Sequence, residues 1–90
     1  MKIFVKVYTD WCKPCRQIAT KIEELSMNPQ FSDILFVQIN GEQICDKLSP
    51  IINVSAVPVF FGFVAGKKID FIPGPDLDKI VGLCQYMSNM

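Results

Sequence analysis

The sequence predicts an α/β fold with the element order βαβ-α-ββα, a four-stranded mixed sheet with helices on both faces. Three observations carry this. A mostly apolar, β-branched run, Val5-Lys6-Val7-Tyr8, leads into residues at helical spacing, and a second apolar run, Ile34 to Ile39, follows them. A helix between two strands is a crossover, so those strands should be parallel. Further on, the most apolar stretch, Val59 to Val64, is separated by Ala65-Gly66-Lys67 from the alternating segment Lys68 to Ile72. That is a hairpin, and it brings antiparallel pairing into the same sheet. At 90 residues, half of them hydrophobic, the expectation is a single domain over residues 1–90 with one core.

The elements follow in order. Ile3 to Tyr8 forms the first strand, closed by Thr9 and Asp10. The first helix runs from about Cys12 to Met27, with Ile18, Ala19, Ile22 and Leu25 as its buried stripe and Arg16, Lys21, Glu23 and Glu24 on the outer side. Asn28-Pro29 stops it. After the second strand, Asn40-Gly41 leads to a short helix over about Gln43 to Ile52, with Ile44 and Leu48 inward, which Pro50 makes irregular. Val54 to Val57 leads into Pro58 and the third strand. In the fourth, an edge strand, Ile69 and Phe71 share one side and Lys68 and Asp70 the other. Pro73-Gly74-Pro75 breaks the chain. Asp76 caps a last helix whose apolar face is Leu77, Ile80, Val81, Cys84 and Met87.

Composition excludes several function classes. Nine basic and nine acidic residues leave a formal charge of zero, with no basic run to attract nucleic acid or an anionic membrane. Histidine is absent, which removes most zinc sites and many acid–base schemes; no cofactor and no metal are expected. The N-terminus lacks the long apolar region of a signal peptide, and no stretch reaches transmembrane length. A cytoplasmic protein is therefore expected.

The chemistry lies in Trp11-Cys12-Lys13-Pro14-Cys15. The two cysteines sit where a strand hands over to a helix N-terminus. Free backbone N–H groups and the positive end of the helix dipole favour a thiolate there. Cysteines three apart on a first helical turn are also close enough to bridge with little strain. Four cysteines in a short secreted chain would suggest a disulfide scaffold, but Cys45 and Cys84 are single and far apart, so a thiol–disulfide redox centre is the better reading. Half of a zinc site is the alternative, and it needs a second pair of ligands. Cys84, on an apolar helical face, reads as a small core residue; Cys45 reads as a half-buried helix residue or a regulatory thiol. Lys13 is either a solvated side chain or a charge that lowers the pKa of Cys12.

The WCxPC stretch after a buried strand resembles the thioredoxin family. Val57-Pro58 before an apolar strand resembles that family's cis-proline, and Gly74 after the edge strand its late glycine. The likeness spans nearly the whole chain and implies a minimal thioredoxin-like fold, without the extra N-terminal strand and helix of full-length members. It also implies that Cys12 is the attacking thiolate, more exposed than Cys15, and that Cys15 is the resolving thiol. Trp11, Lys13, Pro14, Val57, Pro58, Pro73 and Gly74 would then contact the target, and the backbone beside Pro58 would add a strand to it. Disulfide-containing proteins would be the targets, a thioredoxin-reductase-like protein the electron donor, and the chain a monomer. A glutaredoxin-like protein is an alternative, although the tyrosine-containing motif and paired glycine of that family are absent. A partner-binding module is another.

The chain departs from the resemblance beneath the dithiol. Lys6 stands where the family often buries an acid, Phe36 where its basic partner would be, and Thr20 where a helix-kinking proline is usual. Lys6 has two readings. Its stem packs at the core edge and the ammonium reaches water, which is the preferred reading; or the charge lies under the cysteines and favours their thiolates.

Overall fold

A computed structural model describes residues 1–43 and 57–90. The elements are β1 (Lys2–Tyr8), α1 (Lys13–Met27), a 3-10 turn (Pro29–Phe31), β2 (Ile34–Asn40), a second 3-10 turn (Gly41–Gln43), β3 (Val59–Val64), β4 (Lys67–Pro73) and α2 (Leu77–Ser88). The helix expected over about Gln43 to Ile52, and with it Cys45 and Pro50, lies outside the described residues.

The four strands form one mixed sheet in the order β2-β1-β3-β4. The crossover through α1 makes β1 and β2 parallel, from Lys2 opposite Ile34 to Tyr8 opposite Asn40. β3 runs antiparallel to both β1 and β4. α1 stops where Asn28 leaves helical geometry: its backbone N–H bonds back to the Leu25 carbonyl, and its side chain caps the turn that begins at Pro29. At the start of α2, an Asp76 carboxylate oxygen accepts from the Lys79 amide at 3.2 Å.

The sheet's two faces carry separate apolar clusters. Phe4, Phe60, Ile34 and Ile72 face both α1, through Ile18 and Ile22, and α2, through Ile80, Leu83, Cys84 and Met87. Phe4 lies between Phe36 and Phe60, with ring centroids 5.3 and 5.7 Å away. Phe4 and Phe60, both fully buried, each contribute roughly 1.5–3 kcal/mol of transfer free energy. Val5, Val7, Val59 and Phe61 form the cluster on the opposite face. α2 presses closely on β3 at Gly62, where a Cβ would lie 3.1 Å from Met87 Sδ and 3.2 Å from Leu83 Cδ1, tight enough that these side chains would have to give way. Leu83 is buried while Val81 is only half-buried, so the helix face is rotated from the expected one toward Leu83.

The edge strand also departs from its expected alternation. Gly62 pairs with Asp70 but Phe63 pairs with Lys68, so Ile69 is an extra residue opposite a shortened partner. Such a bulge reverses the phase of the side chains beyond it. Ile69 packs with the α1–α2 cluster, whereas Phe71 packs at a tilt against Phe61, ring centroids 5.3 Å apart, on the other face, where Lys68 Nζ lies 5.5 Å from the Phe61 ring. Ile69 and Phe71 therefore do not share a side.

Candidate active site

β1 ends at Tyr8, and the next residues turn tightly into α1. The Cys12 amide donates to the Thr9 carbonyl at 3.2 Å. Arg16 Nη1 reaches back to the Asp10 carbonyl at 2.8 Å and ties the turn to the helix. Pro14 lies in the first turn of α1, where a missing N–H costs nothing and the fixed φ suits the helix. Cys12 is the N-cap. Its Sγ accepts a hydrogen bond from the Cys15 amide at 3.1 Å, and its carbonyl accepts from the Arg16 amide at 3.3 Å.

Cys12 and Cys15 are joined by a disulfide, with their Cα atoms 5.3 Å apart, inside the range that a disulfide spans without backbone movement. Both are 3% exposed. The expected difference in exposure is therefore absent in the oxidised form. What separates the two residues is position: Cys12 receives a helix N–H and Cys15 supplies it.

The remaining candidate residues meet this turn through the sheet. Val59, the first residue of β3, pairs with Val7 on one side and Pro73 on the other. The end of β1, the start of β3 and the end of β4 thus lie together, and all nine sequence-predicted site residues sit at that end of the sheet. The Val57–Pro58 bond is cis, as the resemblance implies. The Gly74 amide donates to the Pro58 carbonyl at 2.9 Å. Gly74 has a φ of 81°, a left-handed conformation that favours glycine. Trp11 is 69% exposed, and Lys13, Pro14 and Pro73 are exposed as well. Val57 and Gly74 are half-buried, and Pro58 is buried, so Pro58 shapes this end through its backbone and packing rather than as open surface.

Two residues gain importance that spacing alone did not give them. Arg16 reads from the sequence as a solvated helix residue, yet its guanidinium holds the cysteine turn. Thr9 reads as a strand terminator, yet its Oγ1 is buried without a hydrogen-bond partner among the described residues. Lys6 lies on the α1 face of β1, beneath the helix. With Tyr8, Thr9, Asp10, Cys15, Arg16, Ala19 and Gln38 it lines an open cleft of about 270 Å³. Cys84 is fully buried and free; burial pushes its thiol up to about 11, which makes it an inert core residue.

The arrangement suits thiol–disulfide exchange. One sulfur is held at a helix N-terminus, where N–H groups and the dipole stabilise negative charge, and a second lies within bonding reach. Among the described residues no helix is long and apolar enough to cross a membrane.

Comparison with known proteins agrees with this geometry. Thioredoxin-2 of Pyricularia oryzae is 35% identical over 81 residues, covering 90% of this chain and 46% of its own. Thioredoxin-1 of Schizosaccharomyces pombe is 32% identical over 78 residues, covering 87% of this chain and 73% of its own. The crystal structure of Fasciola hepatica thioredoxin superposes with a TM-score of 0.83 at 27% identity, covering 96% of this chain and 80% of that one. The chain spans less than half the length of several curated relatives that it matches. The family model for Thioredoxin matches residues 1–87, nearly the whole chain and all four strands: the chain belongs to the thioredoxin family.

Proposed function

We propose that the chain is a thiol–disulfide oxidoreductase of thioredoxin type that reduces protein disulfides through reversible oxidation of Cys12 and Cys15. The observation that carries this is the Cys12–Cys15 disulfide at the start of α1, with Cys12 Sγ accepting the Cys15 amide. In the reduced form, the Cys12 thiolate attacks a target disulfide. One target sulfur leaves as a thiolate and a mixed disulfide forms on Cys12. Cys15 then loses its proton and attacks Cys12 Sγ, which re-forms the intramolecular disulfide and frees the reduced target. The rigid first turn keeps Cys15 near Cys12 and so favours the second attack over escape of the mixed disulfide.

Exposed Trp11, Lys13, Pro14 and Pro73, with the backbone of Val57 and the Pro58–Gly74 corner, form the docking surface for an extended target segment. The partners are disulfide-containing proteins and a reductase of thioredoxin-reductase type that restores the dithiol, and the chain acts as a monomer. A reducing compartment such as the cytoplasm suits a centre that must be kept as a dithiol. The test is dithiothreitol-driven reduction of insulin, followed by turbidity. Wild type should accelerate it and Cys12→Ser should not. Full turnover by Cys12→Ser would remove the mechanism.

A further inference from the structure

On the α1 face of β1, Lys6 is the one charged side chain buried among the described residues, at 8% exposure. Burying an ammonium costs free energy unless something offsets the lost hydration. Among the described residues Lys6 has neither a hydrogen-bond nor an ion-pair partner. Its Nζ lies 5.6 Å from the centroid of the Tyr8 ring. The side chain borders two neighbouring clefts: the one of about 270 Å³ that it shares with Cys15 and Thr9, and one of about 350 Å³ that it shares with Glu23 of α1. The titratable and charged groups around it are Tyr8 of its own strand, Asp10 of the following turn, and Cys15, Arg16 and Glu23 of α1; β2 contributes the neutral Gln38.

The cleft that joins Lys6 to Cys15 has the character of a water site. It is wide enough for several waters, and Thr9, whose buried Oγ1 lacks a partner among the described residues, is part of its wall. Water there would hydrate the ammonium in a cleft whose wall also includes Cys15. Burial holds the Lys6 pKa below the ordinary lysine value, and the Glu23 carboxylate works against that shift.

We propose that Lys6 is a positioning residue for the second half of the exchange: across the water of this cleft its ammonium stabilises the thiolate of Cys15. The inference rests on the redox reading above. In that step the Cys15 thiol gives its proton to cleft water, its sulfur electron pair forms the bond to Cys12 Sγ, and the bond from Cys12 to the target sulfur breaks. The departing target thiolate takes up a proton from solvent. One thiol and one disulfide enter this step, and one thiol and one disulfide leave it. Lys6 is neither consumed nor bonded. A nearby positive charge favours the thiolate, so removing it should raise the Cys15 pKa by about one unit. The thiolate fraction then falls about tenfold while intrinsic nucleophilicity rises about threefold, which leaves the step about threefold slower.

The test compares Lys6→Met, which keeps the volume, with Lys6→Arg, which keeps the charge. In the fully reduced proteins, the 13Cβ resonance of Cys15 is followed against pH. Separately, the protein is loaded on Cys12 with thionitrobenzoate, and release of the coloured thiol at pH 7 reports the attack by Cys15. The expected result is a raised Cys15 midpoint and slower release in Lys6→Met, with wild-type behaviour restored in Lys6→Arg. An unchanged midpoint in Lys6→Met, or an Arg variant that shifts as far as Met, overturns the proposal. If Lys6→Met does not fold, Lys6→Gln carries the same comparison. The midpoint is read without any target, so its failure is distinct from failure of wild type to reduce insulin, which would count against the redox reading itself.

Discussion

Cys12 Sγ accepts the backbone N–H of Cys15 at 3.1 Å, so the residue that caps α1 is also one half of its disulfide. When the disulfide opens, that N–H and the helix dipole face the Cys12 sulfur and favour its thiolate, whereas Cys15 lies inside the first turn and its sulfur receives no such bond among the described residues. Iodoacetamide at neutral pH should therefore modify Cys12 of the reduced protein well before Cys15, as peptide mapping after short exposures would show. Equal rates, or a faster Cys15, would reverse the assignment of attacking and resolving roles. In the oxidised form both residues are buried equally, so the exposure difference expected from the sequence is not seen there.

Much of the fold was legible because it depends on local signals. The helix between two apolar runs dictated the parallel pairing of β1 with β2, Asn28-Pro29 the end of α1, and Asp76 the start of α2. The cysteine turn was legible for the same reason: its hydrogen bonds join residues only a few positions apart. What escaped depends on tertiary register. The extra Ile69 in β4 is fixed by pairing with β3 rather than by its own alternation, so Phe71 was assigned to the wrong side. The burial of Leu83 depends on Gly62, an inward gap on another element. The bond from Arg16 to the Asp10 carbonyl, and the cleft joining Lys6 to Cys15, exist only once β1 and α1 are packed.

Gly62 supplies the second prediction. A methyl group at this position would lie within 3.1–3.3 Å of Met87 Sδ and both Leu83 Cδ atoms, and both of those side chains are buried with little room to retreat. Overpacking of this kind typically costs 1–3 kcal/mol. Gly62→Ala should thus lower stability by about 1 kcal/mol or more, and Tm by about 4 °C or more for a domain of this size. Thermal unfolding with the disulfide intact is the measurement. An unchanged or raised Tm would mean that α2 shifts freely on β3.

The β3–β4 turn makes the opposite prediction. Ala65 and Gly66 both have positive φ, 53° and 81°, as a two-residue turn with the twist of its flanking strands requires. Gly66 suits this conformation and Ala65 does not, since its Cβ crowds the backbone in the left-handed region. The Ala65 amide meanwhile donates to the Met1 carbonyl at 3.0 Å, which holds the turn against the N-terminus. Ala65→Asn keeps that amide and better tolerates the conformation. It should raise stability by roughly 0.5–1 kcal/mol, measured by urea unfolding with an unchanged slope. A loss of stability would show that the turn does not hold this geometry in solution.

Cys84 gives a pH dependence whose sign follows from its burial. Its thiol is raised from 9.0 to about 11 in the fold. Between those values the unfolded chain has lost the proton and the native chain has kept it. The native state therefore binds more protons, and the stability linked to Cys84 is complete below pH 9 and lost as pH rises toward 11. Lys6 works the other way: burial lowers its pKa below 10.5, so just under that value the unfolded state binds more protons and stability rises with pH. The Cys84 contribution is isolated by comparing wild type with Cys84→Ala, both with the Cys12–Cys15 disulfide intact. At pH 7 the alanine variant should be less stable by about 1 kcal/mol, because it leaves a small void in a closed core. Between pH 8 and 11 the gap should narrow, since only wild type must keep a thiol protonated to stay folded. Denaturant unfolding across that range measures it directly. A gap that stays constant from pH 8 to 11 would mean that the Cys84 thiol titrates alike in both states and that the face between α2 and β3 admits water.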